Sequence, residues 1–312
     1  MAAGLYGQET TFTAVMDEAF ELLGADGRAL RRIWLAPEPA ADFDDVTVAQ
    51  PLLYSIDVAL GQMVLDWGVT PVALLGHSIG ELAAATLAGV LDFADGIRMV
   101  RTRMRQFART PAGGMLAVAA SVAQVQDLLS ARVHLAAVNA TRQVVLSGER
   151  DVLQQVAMVL ASRGTATRDA GARQAFHSPL VQSAVDASIP DWLAVSLNRP
   201  RLPVYSAYTQ CLLTDEQALD HRFWARQPAE TVYYAGALGR LLADHDCLLV
   251  EAGPGASLST PARRHPAVTA GRSRVVSLLP DRRRDDDADR SSVAAVRKQI
   301  LEPQPIPAAA GG

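Results

Sequence analysis

A serine between two glycines is the first group of residues in this chain that could do covalent chemistry. The order Gly-His-Ser-Ile-Gly at 76–80 fits the G-x-S-x-G nucleophile elbow, in which a sharp turn lifts a serine hydroxyl above a sheet. Both glycines are expected to leave room that a Cβ would obstruct. An apolar run at 71–75 and an Ala-rich helical stretch from Glu81 supply the strand and the helix. The pattern predicts Ser78 as the nucleophile and the Ile79 amide as an oxyanion donor; the alternative is an ordinary turn with an incidental serine.

A serine nucleophile needs a base, and the chain offers six histidines. His77 neighbours the nucleophile, but adjacent side chains on a sharp turn diverge. His134 begins a predicted strand, and His245 lies between two aspartates, as a solvated residue would. His177 lies where a predicted insertion rejoins the main domain, and a residue at such a seam faces the cleft between the two. The pattern favours His177 as the base, with a surface or capping histidine as the alternative.

The elements that must position these residues alternate between helices and strands. Residues 11–23 carry apolar side chains at helical spacing, and Pro51 is predicted to open a longer helix to about Trp67, because proline is tolerated in a first helical turn. Later in the chain the pattern predicts strands at 202–206, 247–251 and 275–279 and a helix at 235–243. The fold class predicted from these elements is α/β.

Residues 115–170 follow a different rhythm. Predicted elements at 115–120, 122–129, 133–139, 143–147, 151–162 and 165–170 have the order βαββαβ, which is the ferredoxin-like motif. We interpret them as an inserted subdomain. The predicted division is a catalytic unit at 1–114 and 178–280, the insertion at 115–177, and a C-terminal region at 281–312. In that region we expect a charged loop at 281–290, a short helix at 291–301 and a flexible tail from 303.

The composition is that of a globular protein and argues against several classes. Of 312 residues, 49% are apolar and 20% charged, so a sizeable core is possible. A net charge of −4 argues against a general nucleic-acid binder. Cys211 and Cys247 are too few for a disulfide framework, which indicates a reducing, cytoplasmic setting. We find no signal peptide and no apolar run approaching a membrane span, and we expect no metal and no bound cofactor.

Several motifs in a fixed order resemble one known family. Residues 76–81 are similar to the GHSxGE signature of the malonyl-CoA:acyl carrier protein transacylases and of polyketide synthase acyltransferase domains. The resemblance runs from about Leu5 to about Leu279, through segments at 88–91, 98–103, 136–139, 144–148, 175–180 and 249–255. It implies an α/β-hydrolase-like core with an inserted ferredoxin-like subdomain, which matches the elements above.

The resemblance also implies roles for single residues. Ser78 is the nucleophile and His177 the base, without an acidic third member. The family orients this histidine through a backbone carbonyl, and the corresponding position here is Gln227, three residues after Trp224. Arg103 lies where the family binds the free carboxylate of its substrate, a role that suits a guanidinium because it binds carboxylates bidentately and stays charged. Periodicity alone would favour a surface arginine at that position.

The resemblance further implies which residues shape the acyl pocket. His77 and Asn139 are expected to line it, and Phe176 to select the acyl group. Malonyl-selective members usually carry His-Ala-Phe-His where this chain has Gln-Ala-Phe-His, and the bulky ring leaves little room for an α-methyl group. Gln174 departs from that pattern. One methyl group is worth only about 1–3 kcal/mol of discrimination, so we expect leakage to larger acyl groups.

The chain departs from the family at two places. The family normally begins with a strand ending in Gly-Gln-Gly, whose glutamine amide is a second oxyanion donor. Gly7-Gln8 is not that motif, since no strand is predicted before it and Glu9-Thr10 follows. Without that strand we expect exposed sheet edges. At 228–231, Pro-Ala-Glu-Thr replaces the usual Leu-Arg-x-Pro.

The function implied is transfer of a malonyl-type acyl group from coenzyme A, through an acyl-serine, to the phosphopantetheine thiol of an acyl carrier protein, in polyketide or fatty acid biosynthesis. Two alternatives stay open. One is a hydrolase of the same fold that clears acyl groups from carrier proteins, against which Arg103 argues. The other is a catalytically weak module that binds a carrier protein, against which the intact catalytic pair argues. Because the family's carrier proteins are typically acidic, we expect a basic patch near the cleft, with Arg263, Arg264 and Arg274 as candidates.

Overall fold

The computed structural model describes residues 1–36, 45–281 and 286–302. Within them, helices alternate with short strands. The helices are α1 (Thr10–Leu23), α2 (Ala25–Trp34), α3 (Val46–Asp66), α4 (Ile79–Leu87), α5 (Phe93–Phe107), α6 (Val122–Val125), α7 (Arg150–Ser162), α8 (Gln182–Trp192), α9 (Asp215–Ala218), α10 (His221–Arg226), α11 (Tyr234–Asp244), α12 (Ser259–Ala262), α13 (Pro266–Thr269) and α14 (Asp286–Leu301). Single 3-10 turns lie at Ala3–Leu5, Gln126–Leu128, Pro179–Val181 and Gln227–Ala229.

The strands of the described residues form three sheets. They are β1 (Leu74–Leu75), β2 (Gly114–Val118), β3 (Val133–Ala140), β4 (Gln143–Gly148), β5 (Thr167–Asp169), β6 (Val204–Ser206), β7 (Cys211–Leu212), β8 (Leu248–Glu251) and β9 (Arg274–Ser277). The sheet orders are β1-β6-β7, β3-β4-β2-β5 and β8-β9. Strand β1 is parallel to β6, with Leu74 opposite Val204, and β8 is parallel to β9. Strands β6 and β7 form an antiparallel hairpin.

The four-stranded sheet confirms the ferredoxin-like subdomain. Its elements follow one another as β2-α6-β3-β4-α7-β5, and all its strand pairs are antiparallel. Strand β2 lies between β4 and β5, so the first strand occupies an inner position as the motif requires. Leu116, Val118, Leu146 and Val156 belong to a core of its own. The exact residue bounds of the two units stay a prediction.

The central sheet consists of two separate pieces, β1-β6-β7 and β8-β9, and both pieces pack against the same two hydrophobic cores. Leu75 of β1 and the preceding Ala73 pack with Leu249 against the core around α11, whereas Leu74 and Val250 pack against the larger core. Because alternate residues of a strand point to opposite faces, the two pieces form one layer between the same two cores. In the described part of the chain no strand joins β1 to β8, and both are half-buried. Among the described residues both strands are therefore sheet edges, but half-buried ones rather than the exposed edges that were expected.

Helix α3 corrects two sequence-based expectations. It begins at Val46, because the Asp45 carboxylate accepts the Thr47 amide as an N-cap, and Pro51 lies inside it rather than at its start. Among the described helices it is also long and apolar enough to cross a membrane by length and composition alone, contrary to the expectation that no run approaches that length. Leu52 and Ile56 are fully buried in the core, as in the central helix of a globular domain.

The C-terminal region is more helical than expected. The charged segment was expected to be a loop through residue 290, but α14 begins at Asp286, so part of that segment is helix. An ion pair between Asp287 and Arg290 one turn apart supports this start, and Val293 and Val296 bury themselves in the main core. The rest of the expected loop at 282–285 and the expected tail from 303 lie outside the described residues.

Candidate active site

Ser78 lies on a strained turn between β1 and α4. Its φ and ψ are 55° and −120°, a backbone conformation that non-glycine residues rarely adopt and that functional sites retain. A Cβ at Gly76 would approach the Glu81 backbone nitrogen to 2.2 Å, so this glycine is required. At Gly80 a Cβ would meet only an Asp57 side-chain oxygen, at 3.6 Å, outside its own helix. The expectation that both glycines are needed for space is therefore right for Gly76 and wrong for Gly80.

The structure brings Ser78 and His177 together. The Ser78 Oγ lies 2.8 Å from the His177 Nε2, and the Nδ1 of the same ring lies 3.0 Å from the Glu230 carbonyl oxygen. Since a carbonyl can only accept, Nδ1 carries the proton, and Nε2 is free to accept the proton of Ser78. The His177 amide also donates to the Pro228 carbonyl, at 2.6 Å. This geometry can activate a serine without an acidic third residue.

The carbonyl that orients His177 corrects the sequence-based assignment. Gln227 was expected to supply it, but the hydrogen bond to Nδ1 comes from Glu230. The 3-10 turn at Gln227–Ala229 accompanies this shift, because within it the Gln227 carbonyl accepts the Glu230 amide, at 3.1 Å, and the Glu230 carbonyl accepts the Nδ1 proton. The Gln227 carbonyl still favours protonation of His177 as a weaker influence on its pKa. This turn overlaps the segment 228–231, where the chain departs from the family.

The pKa of His177 is lowered to about 4, mainly by burial and to a smaller extent by the nearby His77 and Arg103, while the Glu230 carbonyl opposes the shift. The imidazole is therefore neutral, and able to act as a base, across the ordinary working range. Sequence reasoning identified this residue from its position at the seam but gave no protonation state.

The lowered pKa predicts an unusual pH profile. Because the neutral imidazole is the active form, kcat/KM for acylation should stay flat as the pH falls from neutral and decline only through about 4. Stopped-flow acylation with an acyl-CoA, with circular dichroism to confirm folding at each pH, measures the profile. A decline centred near the ordinary value of about 6.5 would show that the ring is not buried as described.

Arg103 is a buried cation without an acidic partner among the described residues. The side chain is 4% exposed, and its guanidinium lies 5.1 Å from the Trp192 ring. Nη2 donates to the Trp224 carbonyl at 2.5 Å, whereas the buried Nε has no hydrogen-bond partner among the described residues. Burial lowers its pKa to about 10, which leaves it charged at neutral pH. The surface-arginine alternative is therefore wrong, since α5 turns this residue inwards.

A cleft of about 320 Å³ joins these groups. Its lining includes the nucleophile, the base and Arg103, together with Gln50, Ile79, Met104, Phe107, Phe176, Tyr208, Gln227 and Pro228. Phe176 lines the cleft as expected, and its ring packs edge to face against that of Phe107, with the two ring centroids 5.1 Å apart. The Ile79 amide, at the first position of α4, donates to no described residue, so it is available to an oxyanion. Sequence reasoning missed Gln50 and Tyr208, because each enters from an element distant in the chain.

His77 and Asn139 differ from the expectation that they line the pocket. The His77 Nε2 lies 2.8 Å from the Asn139 Oδ1, and neither residue belongs to the lining of this cleft. The His77 ring also packs against Tyr234, at 5.9 Å. Because Asn139 is on β3, this hydrogen bond joins the nucleophile elbow to the inserted subdomain. Burial lowers the pKa of His77, which keeps the ring neutral in that contact.

Glu81 holds the surroundings of the elbow in place. It is fully buried, and its carboxylate accepts the Ala207 amide at 2.8 Å and the Gln227 Nε2 at 3.3 Å. Burial raises its pKa to about 8, while hydrogen bonds from the Ser206 side chain and the Ala207 amide oppose the shift. The side chain thus ties the helix of the nucleophile to two other segments of the cleft. The sequence signature contains this glutamate, but nothing in the pattern indicated which groups it binds.

The comparisons with known proteins agree with this geometry. Residues 1–302 match the family described as acyl transferase domain. The chain belongs to this family. The acyltransferase domain is 34% identical over 274 residues to a component of the phenolphthiocerol/phthiocerol polyketide synthase of Mycobacterium tuberculosis, covering 85% of this chain and 18% of that protein. It is 31% identical to the spectinabilin polyketide synthase system protein NorB of Streptomyces orinoci, covering 98% of this chain and 14% of that protein. It therefore spans less than a fifth of these curated relatives.

Solved structures give the same fold. The acyltransferase domain from the second module of the salinomycin polyketide synthase is 32% identical, with a TM-score of 0.83, over 94% of this chain and 67% of that one. FabD from Acinetobacter baumannii has a TM-score of 0.84 at 24% identity, over 97% of this chain and 94% of that one, and supports the fold alone. The architecture is an α/β-hydrolase-like core with a ferredoxin-like subdomain, as expected.

Proposed function

We propose that this acyltransferase domain takes a malonyl-type acyl group from coenzyme A onto Ser78 and transfers it to the phosphopantetheine thiol of an acyl carrier protein during polyketide assembly. The observation that carries the proposal is Arg103, a buried guanidinium without an acidic partner in the described residues, lining the same cleft as Ser78 and His177. A buried charge is costly unless it is paired, so a bound carboxylate would stabilise the site.

The first half-reaction follows from the geometry of the pair. His177 Nε2 takes the Ser78 proton as Oγ attacks the thioester carbonyl, and the Ile79 amide stabilises the oxyanion. The carbon–sulfur bond then breaks, and the imidazolium returns the proton to the coenzyme A sulfur. In the second half-reaction the carrier thiol gives its proton to His177 and attacks the acyl ester. The bond from the acyl carbon to Oγ then breaks, and His177 returns the proton to Oγ, which restores Ser78. Two such steps give ping-pong kinetics.

We assign a malonyl-type acyl group because Arg103 can bind a free carboxylate on the substrate. Arg103 offers Nε and a terminal nitrogen on one edge of the guanidinium, and the Nε has no described partner. A planar fork of this kind binds a carboxylate through two parallel hydrogen bonds. A structural relative at 29% identity and TM-score 0.86, the acyltransferase domain of SpnD, is described in complex with 2-(pent-4-yn-1-yl)malonyl, a carboxylated acyl group.

Phe176 favours malonyl over its larger homologues. Its ring lines the cleft and is fixed by edge-to-face contact with Phe107. An α-substituent on the acyl group would compete for the space of this ring. The preference is modest, since a methyl group is worth about 1–3 kcal/mol.

The carrier protein is the expected acceptor. Arg263 and Arg264 are exposed and have no ion-pair partner among the described residues, so they stay our candidates for contact with an acidic carrier. Arg274 is half-buried, with its Nε enclosed and unbonded, and is the weaker candidate.

The function is tested by measuring whether the malonyl group is transferred to a carrier protein or to water. The domain is incubated with malonyl-CoA, with and without a holo carrier protein of a polyketide synthase, and free malonate and malonyl-carrier are quantified by mass spectrometry. We expect malonyl-carrier to dominate, and Ser78→Ala to abolish it. Malonate released at one rate with or without carrier would establish the hydrolase instead. Binding of the carrier without either product would establish a binding module.

A further inference from the structure

The turn between β6 and β7 places a tyrosine in the cleft for which the reaction above has no use. Tyr208 lines the cleft with Ser78, Arg103 and His177, and its ring centroid lies 6.2 Å from that of His177. It follows Ser206, the last residue of β6, by two positions in the chain. The side chain thus stands beside both the reacting atoms and the buried cation.

The phenol of Tyr208 has no hydrogen-bond partner among the described residues, whereas several other tyrosines have one. The hydroxyl of Tyr54 bonds Thr86, that of Tyr205 bonds Asp244, and that of Tyr234 bonds the Leu258 carbonyl. In the described part of the chain no residue bonds the Tyr208 hydroxyl. Because a phenol in a cleft normally finds a partner, its oxygen is available to a ligand.

The turn that carries Tyr208 is held rigidly. The Ala207 amide donates to the buried Glu81 carboxylate at 2.8 Å, and the Ala207 carbonyl accepts the Tyr233 amide at 2.7 Å. The Tyr208 amide itself donates to the Ser206 Oγ at 3.2 Å. The backbone at Tyr208 is therefore held in place before any ligand binds, as a specificity residue requires.

The electrostatics make Tyr208 a donor. Burial raises the pKa of its phenol well above the ordinary value, so the hydroxyl keeps its proton at neutral pH, although the charge of Arg103 opposes the shift. Arg103 and Tyr208 thus present donors to the same cleft. The neighbouring Glu81 carboxylate already accepts other groups. A ligand group that accepts from both donors at once must be negative or strongly polar, and a carboxylate oxygen pair meets that need.

We propose that Tyr208 is a second specificity residue, whose hydroxyl donates a hydrogen bond to the acyl carboxylate bound by Arg103. The inference rests on the proposed function, since it assigns a further residue to the same acyl group. The preference for carboxylated over neutral acyl groups then depends on two side chains, Arg103 on α5 and Tyr208 on the β6–β7 turn.

Tyr208→Phe tests this, because it removes one oxygen and keeps the ring. Acylation of the variant by malonyl-CoA and by acetyl-CoA is compared with that of the wild type. We expect the malonyl-to-acetyl ratio of kcat/KM to fall about tenfold, the worth of one hydrogen bond to a charged group, with acetyl transfer unchanged. Tyr205→Phe is the matched control, since its hydroxyl bonds Asp244 rather than lining the cleft, and it should keep the wild-type ratio.

The outcomes separate the inference from the function on which it rests. If the wild type prefers malonyl and Tyr208→Phe keeps its ratio, the inference is wrong and the function stands. The inference is also wrong if both substrates slow equally, because the hydroxyl then acts on the thioester rather than on the carboxylate. If the wild type itself shows no malonyl preference, the proposed function fails and the inference with it.

Discussion

Replacing His177 with alanine should slow acyl transfer by about 10²–10⁴-fold, the range that a positioned general base contributes. The side chain accepts the Ser78 proton at 2.8 Å and returns it to the leaving thiol, so both half-reactions should slow together. Single-turnover acylation by malonyl-CoA and deacylation by the carrier, measured separately, give the two rates.

Two controls make the His177 result specific. His245→Ala alters a histidine outside the cleft lining and should leave both rates unchanged. Thermal unfolding of His177→Ala checks that the buried site still folds, because the residue is 5% exposed and has a positive φ of 59°. A folded variant that acylates at the wild-type rate would exclude His177 as the base.

Arg103→Ala should lose malonyl transfer and gain relative tolerance of acetyl and longer neutral acyl groups. A charge-assisted bidentate contact is worth roughly 1.5–3 kcal/mol, so the malonyl-to-acetyl preference should fall at least about tenfold. Arg103→Lys should recover only part of it, since a point charge cannot reproduce the planar fork. Competition between malonyl-CoA and acetyl-CoA for the variants measures the ratio.

Arg105→Ala is the matched control for Arg103. It lies on the same helix, but its side chain is 62% exposed and reaches Asp26 at 4.0 Å. The malonyl-to-acetyl ratio of Arg105→Ala should equal that of the wild type. An Arg103→Ala ratio equal to that of this control would show that the buried guanidinium does not recognise the acyl group, and the neutral-acyl and hydrolase interpretations would then lead.

The parts of the site that are local in sequence were predictable. The elbow needs a strand, Gly76, Ser78 and a helix within about a dozen residues, and this order fixes the turn without long-range information. The ferredoxin-like subdomain was equally clear, because its period-2 and helical patterns alternate in one continuous segment, and the strands differ from the expected ones by only a few residues at their ends.

The parts that depend on packing between distant segments were not predictable. Which carbonyl meets His177 depends on a 3-10 turn that moves the acceptor from Gln227 to Glu230. Tyr208 enters the cleft because Glu81 binds the neighbouring Ala207 amide, a contact between residues 126 positions apart. No local pattern encodes such a contact.

The predicted starts of α3 and α14 were wrong for a more local reason. Proline is most common in the first turn of a helix, so Pro51 was expected at a start. The Asp45 cap nevertheless begins α3 at Val46, so Pro51 lies inside the helix, where its missing N–H leaves out one backbone hydrogen bond. The prediction of a loop through residue 290 was also wrong, since α14 begins at Asp286 and the i,i+3 pair of Asp287 and Arg290 lies within the helix.

The most direct test of the central claim is the mass of the peptide that contains Ser78 after the wild-type domain meets equal amounts of malonyl-CoA and acetyl-CoA without a carrier protein. The account predicts a malonyl adduct on Ser78, in excess over acetyl, that a holo carrier protein then removes. An adduct on another residue, or acetyl and malonyl adducts in equal amounts, would contradict it.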